Sequence, residues 1–183
     1  MDRVSTSDSV LDQSASALLA DLASRRLSAE ALMVATLDRI AERNPAVNAV
    51  VGLADPGALL AQARALDAGP VMGPLHGLPL AIKDLVNVPG IRSTRGSPIF
   101  ADFVPESDDV LAARLRASGA ILIGKTNVPE FGLGSHTFNP VYGRTNNPYN
   151  PARTCGGSSG GAGVALALGM VALADGSDLR GPL

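Results

Sequence analysis

Apolar residues recur at helical spacing through the first third of the chain. "SASALLADLASRR" (residues 14–26) and "SAEALMVATLDRIAERN" (28–44) each predict an amphipathic helix; the second has Ser28 as its N-cap and Leu32, Ala35 and Ile40 on one face. Pro45 is expected to close that helix. A third helix is predicted over "DPGALLAQARALDAG" (55–69), with Pro56 in its first turn and Gly69 beyond its end. All three are expected to pack an apolar face against a sheet.

The pattern changes after the turn-rich joint Gly69–Gly77. "LPLAIKD" (78–84) is short, apolar and bounded by Gly and Pro, which predicts a buried strand. "SDDVLAARLRASG" (107–119) predicts a helix and "AILIGKTN" (120–127) a second strand, an order that implies a parallel pair. The irregular segment 134–157 is rich in Asn, Pro and Gly, and loops of that length are uncommon unless they carry function. "AGVALALGMVA" (162–172) predicts a buried helix and "LADGSD" (173–178) a short strand. These elements define an α/β class.

Composition narrows the function. The 183 residues suffice for a core, and a net charge of −2 gives no basic excess for nucleic acid or an anionic membrane. The longest apolar stretch, Val164 to Ala174, falls short of the roughly 20 residues a membrane span needs. The start of the chain is polar and acidic, unlike a secretory signal, and the single cysteine, Cys155, is expected to be a small buried side chain. These features suit a cytoplasmic protein. No metal-binding cluster is visible in the sequence and no cofactor is implied. Oligomeric state is left open.

Of the 15 basic residues only two are lysines, Lys83 and Lys125. Lys83 lies in the apolar strand "LPLAIKD", where solvation is a poor reason for a lysine.

The stretch "TCGGSSGGAG" (154–163) sets two serines between glycine pairs before an apolar run. Gly156, Gly157 and Gly160 permit unusual backbone angles and close approach, and a helix opening there would offer N–H groups to an anion. No Gly-Lys-Ser/Thr follows, so it is no phosphate-binding P-loop, and the dinucleotide spacing is missing. Residues 156–160 do read Gly-x-Ser-x-Gly. His76 and His136 both precede the serine, however, whereas the α/β-hydrolase order places the histidine after it.

Together, "GLPLAIKDLVNVPGIRSTRGS", "GAILIGKTNVPEFGLGS" and "NPVYGRTNNPYNPARTCGGSSGG" resemble the amidase signature family, from about Leu75 to Asp178. The resemblance implies a mixed sheet flanked by helices on both sides, with residues 1–74 as a helical region packing on the core. Residues 75–183 would then be the N-terminal part of the amidase-signature α/β domain. It also implies hydrolysis of a carboxamide C–N bond through a Ser–Ser–Lys triad, with a small-molecule amide as substrate in full-length members.

On this resemblance Lys83 is the base. A lysine must be neutral to accept a proton, and burial lowers its usual pKa of about 10.4. Asp84 would oppose the shift, but neighbouring strand side chains point to opposite faces. Lys125, at the end of its strand, is expected to reach a loop. Ser158 matches the family's bridging serine, preceded by a cis peptide bond, and Ser159 is expected to satisfy a loop or helix-terminal N–H.

The family's nucleophile lies in Gly-Ser/Thr-Asp-x-Gly-Gly-Ser. Gly176, Ser177, Asp178, Leu179 and Gly181 fit that pattern, with Leu179, Arg180 and Gly181 forming the oxyanion and substrate loop. Arg180 replaces a glycine and Pro182 replaces the attacking serine. Proline has neither hydroxyl nor N–H, so the expectation is a chain that is inactive and truncated at the nucleophile loop. The alternatives are a non-catalytic remnant or anion-binding module, and a His–Asp–Ser hydrolase using His76 or His136.

Overall fold

Three helices in the first third of the chain each start where a short polar side chain can cap them. In the computed structural model, which describes residues 10–178, these are α1 (Ala15–Ala23), α2 (Ala29–Val47) and α3 (Pro56–Ala68). The Ser14 and Ser28 hydroxyls and the Asp55 carboxylate accept the N–H groups of Ala17, Ala31 and Ala58 at 3.2, 3.0 and 2.7 Å. Such caps are worth about 1 kcal/mol each.

Helix α2 does not stop at Pro45 but runs to Val47. The Asn44 side chain ends it instead. Its Oδ1 accepts the N–H groups of Ala49 and Val50 at 2.9 and 2.8 Å, and its Nδ2 donates to the Val50 carbonyl at 2.7 Å. Asn48 adopts a left-handed conformation at the turn.

Strands β1 (Pro79–Lys83) and β2 (Ile121–Thr126) pair in parallel, with Pro79 opposite Ile121 and Lys83 opposite Thr126; helix α4 (Val110–Ala117) lies between them in the chain. Residues 49–54 run antiparallel along the other side of β2. Asn127 N–H donates to the Ala49 carbonyl (2.9 Å), Val51 N–H to Lys125 (2.9 Å) and Ala54 N–H to Ile123 (2.8 Å). The hydrophobic pattern does not point to this edge. The strand expected over 173–178 is reduced to a parallel bridge between Ala174 and Ala81. Asp175 continues the contact with its side chain, accepting Lys83 N–H at 2.6 Å in place of a ladder bond.

The sheet is therefore mixed and covered on both faces. Ala81, Ile121 and Ile123 belong to a core with Leu18, Leu32 and Val164 from α1, α2 and α5 (Gly160–Ala167). Leu80, Ile82 and Leu122 pack with Val88, Ile91 and Ala112 on the other side. Alternation sends successive side chains to the two cores, and a register shift between Leu80 and Ala81 sets Lys125 opposite Ile82, away from the face of Lys83.

Helix α5 ends earlier than the apolar run predicts. Gly169 turns left-handed (φ 62°), and the N–H groups of Gly169 and Met170 return to the Leu166 and Ala165 carbonyls at 3.0 and 2.9 Å. A glycine in that conformation is a common helix stop. Two short strands, β3 (Phe138–Asn139) and β4 (Gly143–Arg144), pair antiparallel within the long loop.

Asn44→Ala removes three hydrogen bonds from one turn. It is expected to lower stability by about 2 kcal/mol, read as a reduced urea midpoint with an unchanged slope.

Candidate active site

Strand alternation puts Lys83 on the side of the sheet that faces α5 and the glycine–serine loop, and only 1% of its surface is exposed. Three serine hydroxyls meet its ammonium. Nζ lies 2.8 Å from Ser158 Oγ, 3.0 Å from Ser159 Oγ and 2.8 Å from Ser177 Oγ, with the Ser177 carbonyl at 3.2 Å. Burial lowers the Lys83 pKa, and the charges of Asp175 and Asp178 act against that shift. The lowered value enlarges the neutral fraction able to accept a proton.

The loop holding Ser158 and Ser159 is fixed from behind. The Gly156 carbonyl accepts Thr137 N–H at 3.0 Å and the Thr137 hydroxyl at 2.9 Å. The Gly157–Ser158 peptide bond is cis. The first two N–H groups of α5 are engaged within the protein: Gly160 donates to Thr137 Oγ1 at 3.1 Å and Gly161 to the Asn127 carbonyl at 3.2 Å. A Cβ at Gly161 would strike the Asn127 backbone, and one at Gly160 the Thr137 side chain. The close approach these glycines allow is thus made by the protein's own chain. Gly160 and Gly161 therefore do not offer their N–H groups to an anion.

Ser159 does receive a loop N–H, that of Ser177 at 3.3 Å, and it also touches Lys83. Beside Ser158, residues 132–135, Gly157 and Asp178 line a cavity of about 320 Å³. The expected positions Leu179, Arg180, Gly181 and Pro182 lie outside the described residues. Sequence reasoning does not single out Ser177 and Asp175 as partners of Lys83. The signal is an acid and a hydroxyl closing a short apolar segment, and its meaning depends on the register with β1.

Behind the sheet lies a second buried network. Lys125 is fully buried and donates to the Val86 carbonyl in the loop after β1. Burial pushes its pKa down to about 8, against the attraction of Asp84. Asp84 accepts the Thr94 N–H and hydroxyl at 3.1 and 2.6 Å, and its pKa is raised by burial. Asp84 and Lys125 are adjacent in sequence or register to Lys83, yet the charges that bear on Lys83 are those of Asp175 and Asp178.

Neither histidine hydrogen-bonds to the serines. His76 is buried and accepts Met72 N–H at 3.2 Å, while His136 Nδ1 pairs with Thr154 Oγ1 at 3.1 Å. Cys155 is half-buried against the main core. Among the described residues no helix is long and apolar enough to cross a membrane.

A model of the family described as Amidase matches residues 31–181. The chain belongs to the amidase family. A glutamyl-tRNA(Gln) amidotransferase subunit from Azoarcus sp. (strain BH72) is 45% identical over 94% of this chain and 36% of its own length. Indoleacetamide hydrolase of Bradyrhizobium diazoefficiens is 43% identical over 90% of this chain and 32% of its own. Among solved structures, a fatty acid amide hydrolase superposes with a TM-score of 0.89 at 28% identity, over 94% of this chain and 31% of that one. The peptide amidase of Stenotrophomonas maltophilia gives 0.82 at 32% identity, over 89% and 35%. The chain thus spans about a third of the length of these amidase-family proteins.

The buried Lys125 makes stability depend on pH. Its pKa is about 8 folded against 10.5 ordinarily, so between these values the unfolded chain binds more protons and stability rises with pH. Below about pH 8 this contribution is flat, at its least favourable. Lys125→Met is expected to flatten the rise in urea midpoint between pH 8 and pH 10.

Proposed function

We propose that this chain carries the base and the bridging serine of a carboxamide-hydrolysing site. The carrying observation is the 2.8 Å contact between Lys83 Nζ and Ser158 Oγ, made by a lysine that burial drives toward its neutral form. Neutral Lys83 takes the Ser158 proton, and Ser158 in turn takes the proton of an attacking hydroxyl. That hydroxyl adds to the amide carbonyl, and the proton returns along the same path to the departing amine. Acyl transfer to water completes hydrolysis, and transfer to another amine acceptor would serve an amidotransferase. The amidase relatives cover both outcomes, and a small-molecule amide is the substrate class this chemistry takes.

The position that the family motif gives to the attacking serine is Pro182, with Arg180 in place of glycine. Without a hydroxyl at that position the relay from Lys83 through Ser158 has no terminus there, and one backbone donor is lost from the surrounding loop. Loss of a single oxyanion donor costs about 10² to 10³ in rate. Amide turnover by residues 1–183 is therefore expected to be nil.

The test is product release from small aliphatic and aromatic amides by the purified chain, with Lys83→Ala in parallel. No difference between the two is expected. Turnover by the unaltered chain that disappears in Lys83→Ala would overturn the reading of Pro182.

A further inference from the structure

The hydroxyls around Lys83 differ in what else they can do with their protons. Ser158 Oγ and Ser159 Oγ each reach a second acceptor, the Ser177 carbonyl, at 3.4 and 3.3 Å. Ser159 Oγ also accepts the Ser177 N–H. Ser177 Oγ, at 2.8 Å from Lys83 Nζ, has no other hydrogen-bond acceptor among the described residues. Ser177 is also exposed, whereas Ser158 and Ser159 are half-buried and Lys83 is buried. An exposed residue thus places its hydroxyl in direct contact with the base.

We propose that Ser177 is a catalytic nucleophile of this chain, activated directly by Lys83 to accept acyl groups from small activated esters. The inference rests on Lys83 being the base but not on Ser158 relaying protons, and it needs no hydroxyl at position 182. In the step, the Ser177 Oγ–H proton passes to neutral Lys83 Nζ as the Oγ–C bond forms. The bond from the acyl carbon to the ester oxygen breaks, and the alkoxide or phenoxide leaves with the electron pair. A phenoxide leaves without a proton, so the step needs no general acid at the leaving oxygen. An amide's poorer leaving group would need that proton and stronger stabilisation of the carbonyl oxygen, which accords with acylation by esters in a chain expected to turn over no amide.

The chain suits a direct test because it holds only two lysines, both buried, so few side chains compete for an acyl donor. The full chain is incubated with p-nitrophenyl acetate, nitrophenolate release is followed, and the acetylated residue is located by peptide mass spectrometry. The expected result is a burst of one equivalent with the acetyl group on Ser177. It should be absent in Ser177→Ala, slowed about 10²-fold in Lys83→Met, and unchanged in His136→Ala.

In the unaltered chain the burst rate should rise with pH to a plateau with a midpoint below 10.5, because burial lowers Lys83 while Asp175 and Asp178 restrain the shift. That profile stands even where Lys83→Met fails to fold. Acetyl found on Ser158 or Ser159 and dependent on Lys83 would overturn the role of Ser177 and leave Lys83 as the base. Acetyl on Ser177 at an unchanged rate in folded Lys83→Met would overturn both. Acetylation confined to the N-terminus or Cys155 would overturn the proposal as well.

Discussion

The burial of one ammonium group at the end of a parallel strand organises this molecule. A lysine at 1% exposure must have its hydrogen-bonding capacity met locally, because water cannot meet it. The chain supplies oxygens from two distant places, the glycine–serine loop and the segment around Ser177. Each segment is tied to the sheet independently. Thr137 and Asn127 hold the loop, and Asp175 holds the other segment by accepting the Lys83 N–H. Lys83 is thereby fixed through its backbone and its side chain at once.

The two lysines show how strand alternation divides labour. Lys83 and Asp84 are consecutive, yet Lys83 meets serines and Asp84 meets Thr94 and the charge of Lys125. The sheet separates a neutralisable amine in front from an acid and a cation behind. Had Asp84 shared a face with Lys83, its charge would have favoured the ammonium form and opposed any role as a base.

Much of this is legible from residue pattern. The cap at Ser28, the two buried strands and their parallel pairing follow from local chemistry and from the period of apolar residues. The odd placement of Lys83 marks the site without any geometry. What escapes the pattern depends on tertiary contacts. Residues 49–54 become a strand edge only because β2 offers its carbonyls and N–H groups there. Pro45 misleads because the Asn44 side chain, not the missing N–H, ends the helix. Ser177 and Asp175 act through register with β1, which no local pattern encodes.

The contact between the glycine pair and its backing limits which substitutions the loop can take. Gly160 and Gly161 lack side chains because Thr137 and Asn127 fill that space. The two regions are the halves of one mould, separated by more than twenty positions in the chain. A side chain at 160 would collide with both Thr137 and Cys155, so admitting one requires that both give way. The serines that sit on this mould inherit its rigidity, and residues that never touch Lys83 set how far its partners can wander.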